Sequence, residues 1–315
     1  MPRLEPLKHC TLCPRQCGAD RTNPHPTTHS FCGASEMPEI ASVCLHRGEE
    51  PPLNPITNVF FSHCNLQCIY CQNWQISGRM NSHTQNAESI ESLADRIVSQ
   101  LSPITPLLGL VTAAHYAHLI PPLLEAIHAR RSSSDAPLTV VYNSSGYESV
   151  ETLRSLEGLI DIYLPDFKYM DSALAKTYSH AANYPEVASA AINEMIRQVG
   201  IGLKTDDNGI AYRGIIVRHL VLPGHTSNSL AVLDHLASIS SLHSPFSNLH
   251  LSLMAQYFPP HEGLPAPLNR TVPHEEYVLV VHRAEELGFS EGWIQELTAQ
   301  NNYRPDFTLP NPFQN

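Results

Sequence analysis

All eight cysteines of this 315-residue chain fall within its first 71 positions: Cys10, Cys13, Cys17, Cys32, Cys44, Cys64, Cys68 and Cys71. Cysteines used only as small core residues would scatter along the chain. Met1 to Lys8 contain no apolar run of the kind an export signal needs. The thiols are therefore expected in a reducing compartment, where clustered cysteines act as metal or catalytic ligands before they act as disulfides. Two groups stand out. The first is Cys10-x2-Cys13-x3-Cys17 with Cys32 further on, and the second is Cys64-x3-Cys68-x2-Cys71. Cys44 belongs to neither and reads as a small buried hydrophobe.

The second group places three thiols in eight residues, with no further Cys or His at ligand spacing after it. A structural zinc site is normally closed by four ligands, and an electron-transfer cubane also takes four cysteines. Three ligands leave one iron open to a substrate or cofactor. The competing reading is a zinc knuckle that borrows a distant ligand. The first group can close a tetrahedral zinc site, hold a second iron–sulfur cluster, or be a thiol-rich surface loop. His9, His25 and His29 widen its ligand choice.

The rest of the composition narrows the class. Only 16% of residues are charged, against about 25% in ordinary globular domains. The net charge is −11, which argues against a nucleic-acid or anionic-membrane partner, since both select a basic face. The most apolar long window, Leu107 to Ile127, is interrupted by His115, His118 and Pro121-Pro122, so no membrane span is expected. A soluble, cytoplasmic protein is the expectation.

Residues 1–55 are proline-rich with little periodicity and read as an irregular Cys-rich segment. From residue 56 short apolar runs alternate with amphipathic stretches. Strands are expected at Ile56–Ser62, Leu108–Thr112, Leu138–Tyr142, Leu159–Leu164, Gly214–Leu222 and Leu249–Met254. Continuous apolar runs of this length suit parallel strands covered on both faces. Helices are expected at Ala87–Leu101, His115–Ala129, Glu148–Leu156, Glu186–Val199, Ser227–Ile239 and His274–Leu287. In the first of these, Ile90, Leu93, Ala94, Ile97, Val98 and Leu101 share one face. The tail after Asn301 reads as a strap or frayed end. Repeated βα units imply a parallel sheet, open or barrel-like. The expected division is 1–55, a body over 56–260, and a C-terminal helix and tail over 261–315.

Ligand sites of such folds gather at the C-terminal strand ends. Those positions carry the cysteine loop, Thr112-Ala-Ala-His-Tyr116, Asn143-Ser-Ser-Gly-Tyr147, Pro165-Asp-Phe-Lys-Tyr169, Arg218-His219 and Gln256-Tyr-Phe258. Asp166 and Lys168 also suit an ordinary rim ion pair. Arg218 sits in an apolar strand and needs a carboxylate partner, from the protein or from a ligand. His219 reads as a satisfied interior histidine, Asn143 as a turn cap, and Gly146 as a tight-backbone residue.

Taken together, Cys10-Thr-Leu-Cys13-Pro-Arg-Gln-Cys17-Gly18, His46-Arg-Gly-Glu49-Glu50-Pro51, the loop ending Cys71-Gln72-Asn73, Asn143-Ser-Ser-Gly-Tyr147, Asp161-Ile-Tyr-Leu-Pro-Asp166-Phe-Lys168-Tyr169 and Arg218-His-Leu-Val-Leu-Pro-Gly224 carry a resemblance. From Cys10 to about Pro260 the chain resembles the radical S-adenosylmethionine (SAM) proteins similar to pyruvate formate-lyase activating enzyme. The resemblance implies a partial (β/α)6 barrel with parallel strands. It implies a [4Fe–4S] cluster on Cys64, Cys68 and Cys71, with SAM on the open iron. By position Asn143, Asp166, Lys168 and Arg218 resemble residues that hold SAM, and Tyr70 the residue against its adenine. The implied reaction is reductive cleavage of SAM to a 5′-deoxyadenosyl radical, fed by an external one-electron donor, and hydrogen abstraction from a protein or small-molecule substrate. Glycyl-radical-enzyme activation is one form of it. The chain departs from activating enzymes at Thr112-Ala-Ala-His-Tyr116, where they carry Gly-Gly-Glu, at Asn143, where they carry Asp, and in its N-terminal cysteines. The alternative is a structural zinc or iron–sulfur protein, or an electron carrier, without SAM turnover.

Overall fold

Strand parity explains both the core and the cavity of this molecule. The computed structural model describes residues 7–22, 30–78, 87–102, 106–243, 249–301, 304–309 and 311–313. Its strands are β1 (Ile40–His46), β2 (Ile56–Phe61), β3 (Leu107–Val111), β4 (Thr139–Ser144), β5 (Ile162–Pro165), β6 (Lys204–Thr205), β7 (Ala211–Leu220), β8 (His250–Met254) and β9 (Gly292–Ile294). They form one sheet in the order β1-β2-β3-β4-β5-β7-β8-β9, with β6 paired to β7. From β2 through β9 that path is parallel. β1 runs antiparallel to β2, and β6 antiparallel to β7. Successive side chains of a strand point to opposite faces. Leu108, Leu110, Val140, Tyr142, Tyr163, Ile215, Val217, Leu251 and Leu253 accordingly join the main core. Leu107, Val141, Ile162, Leu164 and Ile216 form a second cluster on the other face.

That inner cluster and the cavity above it draw on strands from one side of the sheet to the other, so the sheet curls around a common interior. The expected partial (β/α)6 barrel is met: its six strands are β2, β3, β4, β5, β7 and β8. Two edge strands escaped the sequence pattern. β1 lies in the segment expected to be irregular. Its run Ile40-Ala-Ser-Val-Cys-Leu is hidden by the prolines on either side, and pairing with β2 is what makes it a strand. β9 is three residues long and exists only through its register with β8.

Between the strands lie α1 (Trp74–Ser77), α2 (Ile90–Gln100), α3 (Ile120–His128), α4 (Val150–Ser155), α5 (Ser172–Ser179), α6 (Tyr184–Val199), α7 (Thr226–His243) and α8 (His274–Glu286). Ser89 and Ser149 cap α2 and α4 by accepting from the Ser92 and Thr152 amides. The stretch expected as one helix from His115 is two. A 3-10 turn over Ala114–Leu119 precedes α3, which begins one residue before Pro121. Proline lacks the amide that a helix interior requires and is tolerated in its first turn. The sequence pattern does not reveal α5. Its signal is Asp171, whose carboxylate accepts from the Ala173 and Leu174 amides. Cys44 is buried among Phe60, Ile76, Val111 and Phe307, as expected of a small hydrophobe. The tail is a strap: Phe307 packs on Phe60 with ring centroids 5.4 Å apart, and Phe313 on His46 at 4.2 Å.

The interior packs tightly against Gly109. A Cβ at Gly109 would lie 1.9 Å from Asn58 Oδ1 and 3.0 Å from Ile56 Cδ1. Gly109→Ala is expected to lower stability by about 1–3 kcal/mol, the usual range for overpacking. An unchanged midpoint in urea denaturation would show that Asn58 swings aside at no cost.

Candidate active site

The parity that sends leucines outward also sends Asn58, Asn143, Asp166 and Arg218 into one interior cavity of about 190 Å³. Cys64, Cys68 and Cys71 line the same cavity from the loop after β2, together with Tyr70. Every residue the sequence suggested for the open cluster and its cofactor therefore faces one space.

Asp166 organises the polar part. Lys168 Nζ donates to its Oδ2 at 2.5 Å and Arg218 Nε to its Oδ1 at 2.9 Å. The Arg218 guanidinium also donates to Asn143 Oδ1 at 3.0 Å. The carboxylate that Arg218 needs is thus supplied by the protein. Burial by itself would raise the Asp166 carboxyl, but Arg218 and Lys168 outweigh it and hold it below the ordinary value. Burial pulls Lys168 down, and Asp166 more than restores it, so the ammonium is kept. Asn143 is held by this pairing and does not cap α4. Gly146 does what a tight backbone requires: its φ is +75°, and a Cβ there would meet the Asp166 carbonyl oxygen at 2.3 Å. His219 is a satisfied interior residue, bonded to the Phe167 carbonyl at 2.7 Å and to Ser229 Oγ at 2.9 Å.

The cysteine loop is tied down on both sides. Arg15 donates to the carbonyls of Asn65 and Ser179, each at 2.9 Å, and to that of His180, while stacking on Phe31. Asn65 Nδ2 donates to the Tyr147 carbonyl at 2.8 Å. The N-terminal segment therefore packs directly against the loop. Burial pushes the Cys64 thiol up to about 12 and Cys68 up to about 11, and it raises Cys71 as well. Three thiolates are stable in such surroundings only beside positive charge, which a metal supplies. The Leu66 amide and Ser179 Oγ donate to Cys64 Sγ at 3.3 Å and Cys68 Sγ at 3.0 Å.

Among the described residues no three His, Cys, Asp or Glu side chains converge on a single metal ion. Around one tetrahedral zinc with sulfurs at about 2.3 Å, the sulfurs would stand roughly 3.8 Å apart. A cubane instead gives each thiolate its own iron and needs a wider spacing. Cys64, Cys68 and Cys71, facing one space, are the donor set that a cubane with one open iron would use.

The first cysteine group is partly assembled. Cys10 and Cys17 lie close enough to act on each other's ionisation, and Cys13 lies within electrostatic reach of Cys17 and Cys32. The neighbouring Cys10 holds the Cys17 thiol below its ordinary value. Arg21, only 2% exposed, sends its charge among the carbonyls of Ala34, Ser35 and His115 and towards Cys10 Sγ at 3.7 Å. His25 and His29 lie outside the described residues.

Tyr70 is buried, and its hydroxyl accepts from Tyr169 at 2.6 Å. Of the stretch after β3, Thr112 lines the cavity, whereas His115 points away and is bonded to the Ser62 carbonyl at 2.8 Å. Sequence reasoning quoted Glu50 within the His46–Pro51 motif without giving it a role, and it assigned none to Asn58. The available signals were a lone amide in the apolar run Ile56-Thr-Asn-Val-Phe-Phe61 and two carboxylates ahead of a proline pair. Among the described residues, no helix is long and apolar enough to cross a membrane.

No family model matches the chain. Uncharacterized protein MJ0674 of Methanocaldococcus jannaschii is 27% identical over 285 residues, covering 89% of this chain and 75% of that one. Solved structures with a partial likeness to the chain include the following three. HydG, a maturase of the [FeFe]-hydrogenase, has a TM-score of 0.47 at 13% identity, over 74% of this chain and 50% of its own. Native anSMEcpe with bound AdoMet has 0.44 at 10%, over 71% and 57%. Methylornithine synthase (PylB) has 0.43 at 10%, over 71% and 59%. The chain thus spans roughly half to three-fifths of these solved chains, and likenesses this slight add nothing to the geometry above.

Proposed function

We propose that this chain is a radical SAM enzyme of the activating-enzyme-like kind. It would hold a [4Fe–4S] cluster on Cys64, Cys68 and Cys71 and bind SAM in the adjoining cavity. The observation that carries this reading is that three thiols of one loop share a cavity with the Asp166–Lys168–Arg218–Asn143 network. When bound and reduced by an external donor, such a cluster would supply the one electron that cleaves the sulfonium of SAM, giving methionine and the deoxyadenosyl group that would take a hydrogen atom from the substrate.

The chain's own residues position and shield. Lys168 and Arg218 together outnumber the one carboxylate between them, which leaves positive charge for the carboxylate of an amino-acid cofactor. Tyr70 forms an apolar wall beside the thiols. The tail narrows the mouth, since Pro305 and Phe313 line the cavity. That cap supports a small-molecule substrate over a protein glycine. An external one-electron donor is the remaining partner.

The test is anaerobic reconstitution followed by metal and sulfide analysis and EPR of the reduced protein with and without SAM. About four iron and four sulfide per chain are expected, or about eight of each if the N-terminal cysteines hold a second cluster. The EPR signal should change on adding SAM. Zinc alone, with no SAM-sensitive signal, would leave a structural metal protein instead.

A further inference from the structure

The motif His46-Arg-Gly-Glu49-Glu50-Pro51 takes no part in the function proposed above, yet His46, Glu49 and Glu50 line the same cavity. After β1 the chain turns inward, and Glu50 is only 3% exposed. Ser252 of β8 donates to its Oε1 at 2.8 Å. Among the described residues, no Lys, Arg or His forms an ion pair with Glu49 or Glu50. Arg218, the cation whose charge reaches Glu50, is committed to Asp166 and Asn143. Burial and the neighbouring Glu49 push the Glu50 carboxyl up to about 7. The groups acting on it are Glu49 from its own loop, Arg218 from β7, Asp166 beyond β5 and Ser252 from β8.

A second observation points to a ligand. Asn58 of β2 is 6% exposed and lines the cavity, and its amide has no hydrogen-bond partner among the described residues. Gly109 on β3 leaves the room that this amide occupies. Gln72 lines the same space and has a buried amide nitrogen with no acceptor. The cavity therefore carries two kinds of chemistry. Lys168 and Arg218 gather around one carboxylate, while Glu49 and Glu50 form no ion pair among the described residues, although the charge of Arg218 reaches both and Glu49 acts on His46.

We propose that Glu50 anchors a cationic nitrogen, an ammonium or guanidinium, of a small organic substrate, and that Asn58 bonds a neighbouring polar group of the same molecule. This rests on the radical SAM reading only in calling the ligand a substrate.

The test is calorimetric titration of the anaerobically reconstituted protein with agmatine, which carries both kinds of cation, and with ethylammonium. Butane-1,4-diol and glutarate serve as neutral and anionic controls. At least one of the cations should bind at millimolar concentration and neither control should. Glu50→Gln keeps the shape and an acceptor for Ser252, and it should weaken cation binding by about tenfold or more while leaving the SAM-induced EPR change in place. No binding of either cation, equal binding of the diol, or a Glu50→Gln protein that binds like the parent would each overturn the proposal. The two readings fail separately. Glu50-dependent cation binding in a protein whose EPR ignores SAM would keep this site and remove the radical SAM reading.

Discussion

Cys68→Ala, reconstituted anaerobically, should lose the SAM-sensitive EPR signal and form no 5′-deoxyadenosine above background. Cys68 contributes one of only three thiols in the loop, and its sulfur is held by Ser179 Oγ at 3.0 Å and lies within reach of the Lys168 charge. With two ligands left, two irons would be open where one is wanted, and the cluster would be lost or scrambled. Cys44→Ala is the control, because Cys44 sits in a hydrophobic cluster that contains none of the loop's cysteines. It should keep its iron and the cofactor response. Cys17→Ala separates the two cysteine groups: it should keep the SAM-dependent signal even if total metal falls. A Cys68→Ala protein that still cleaves SAM would refute the assignment of this loop.

Asp166→Ala should be the most destabilising single change in the site, at about 3–5 kcal/mol, because it strands Lys168 and Arg218 without the carboxylate they share. Both ion pairs are largely desolvated, with side-chain exposures of 14% and 15%. Neither Lys168 nor Arg218 has another carboxylate in an ion pair among the described residues. Urea denaturation near neutral pH would read the loss directly, and a change within about 0.5 kcal/mol would mean that solvent or Glu50 takes over the charge. The pH dependence has a definite sign. Although burial pushes the other way, Arg218 and Lys168 hold the folded-state value of Asp166 below its unfolded one. Its contribution is therefore complete above the unfolded value of about 3.9 and is lost as the pH falls through the folded value. The parent should lose stability in that acid window more steeply than Asp166→Asn.

Local features of the chain are legible in its sequence. Cys64, Cys68 and Cys71 occupy one loop, so their spacing along the chain already implies their spacing in space. The six barrel strands announce themselves as short apolar runs, because a strand covered on both faces has no polar side to show. Most helices follow from the 3.6-residue spacing of their buried face, and Gly146 from the backbone a tight turn requires. The need of Arg218 for a carboxylate is legible too, since a cation in an apolar strand cannot stay unpaired.

The identity of that carboxylate is not legible. Asp166 lies 52 residues before Arg218, and only the adjacency of β5 and β7 brings them together. The same is true of Glu50 and Ser252, 202 residues apart, which meet because the curled sheet carries β8 round to the loop after β1. β1 and β9 become strands through their neighbours' free edges rather than through their own composition. Whether Asn58 faces helix or cavity depends on the register of β2 against β3, and a shift of one residue would reverse it. Sequence alone determined what lies within a loop or one periodic element, where chain distance and spatial distance coincide. The tertiary structure alone decided which charges meet inside the barrel, because sheet order and strand register depend on every strand at once.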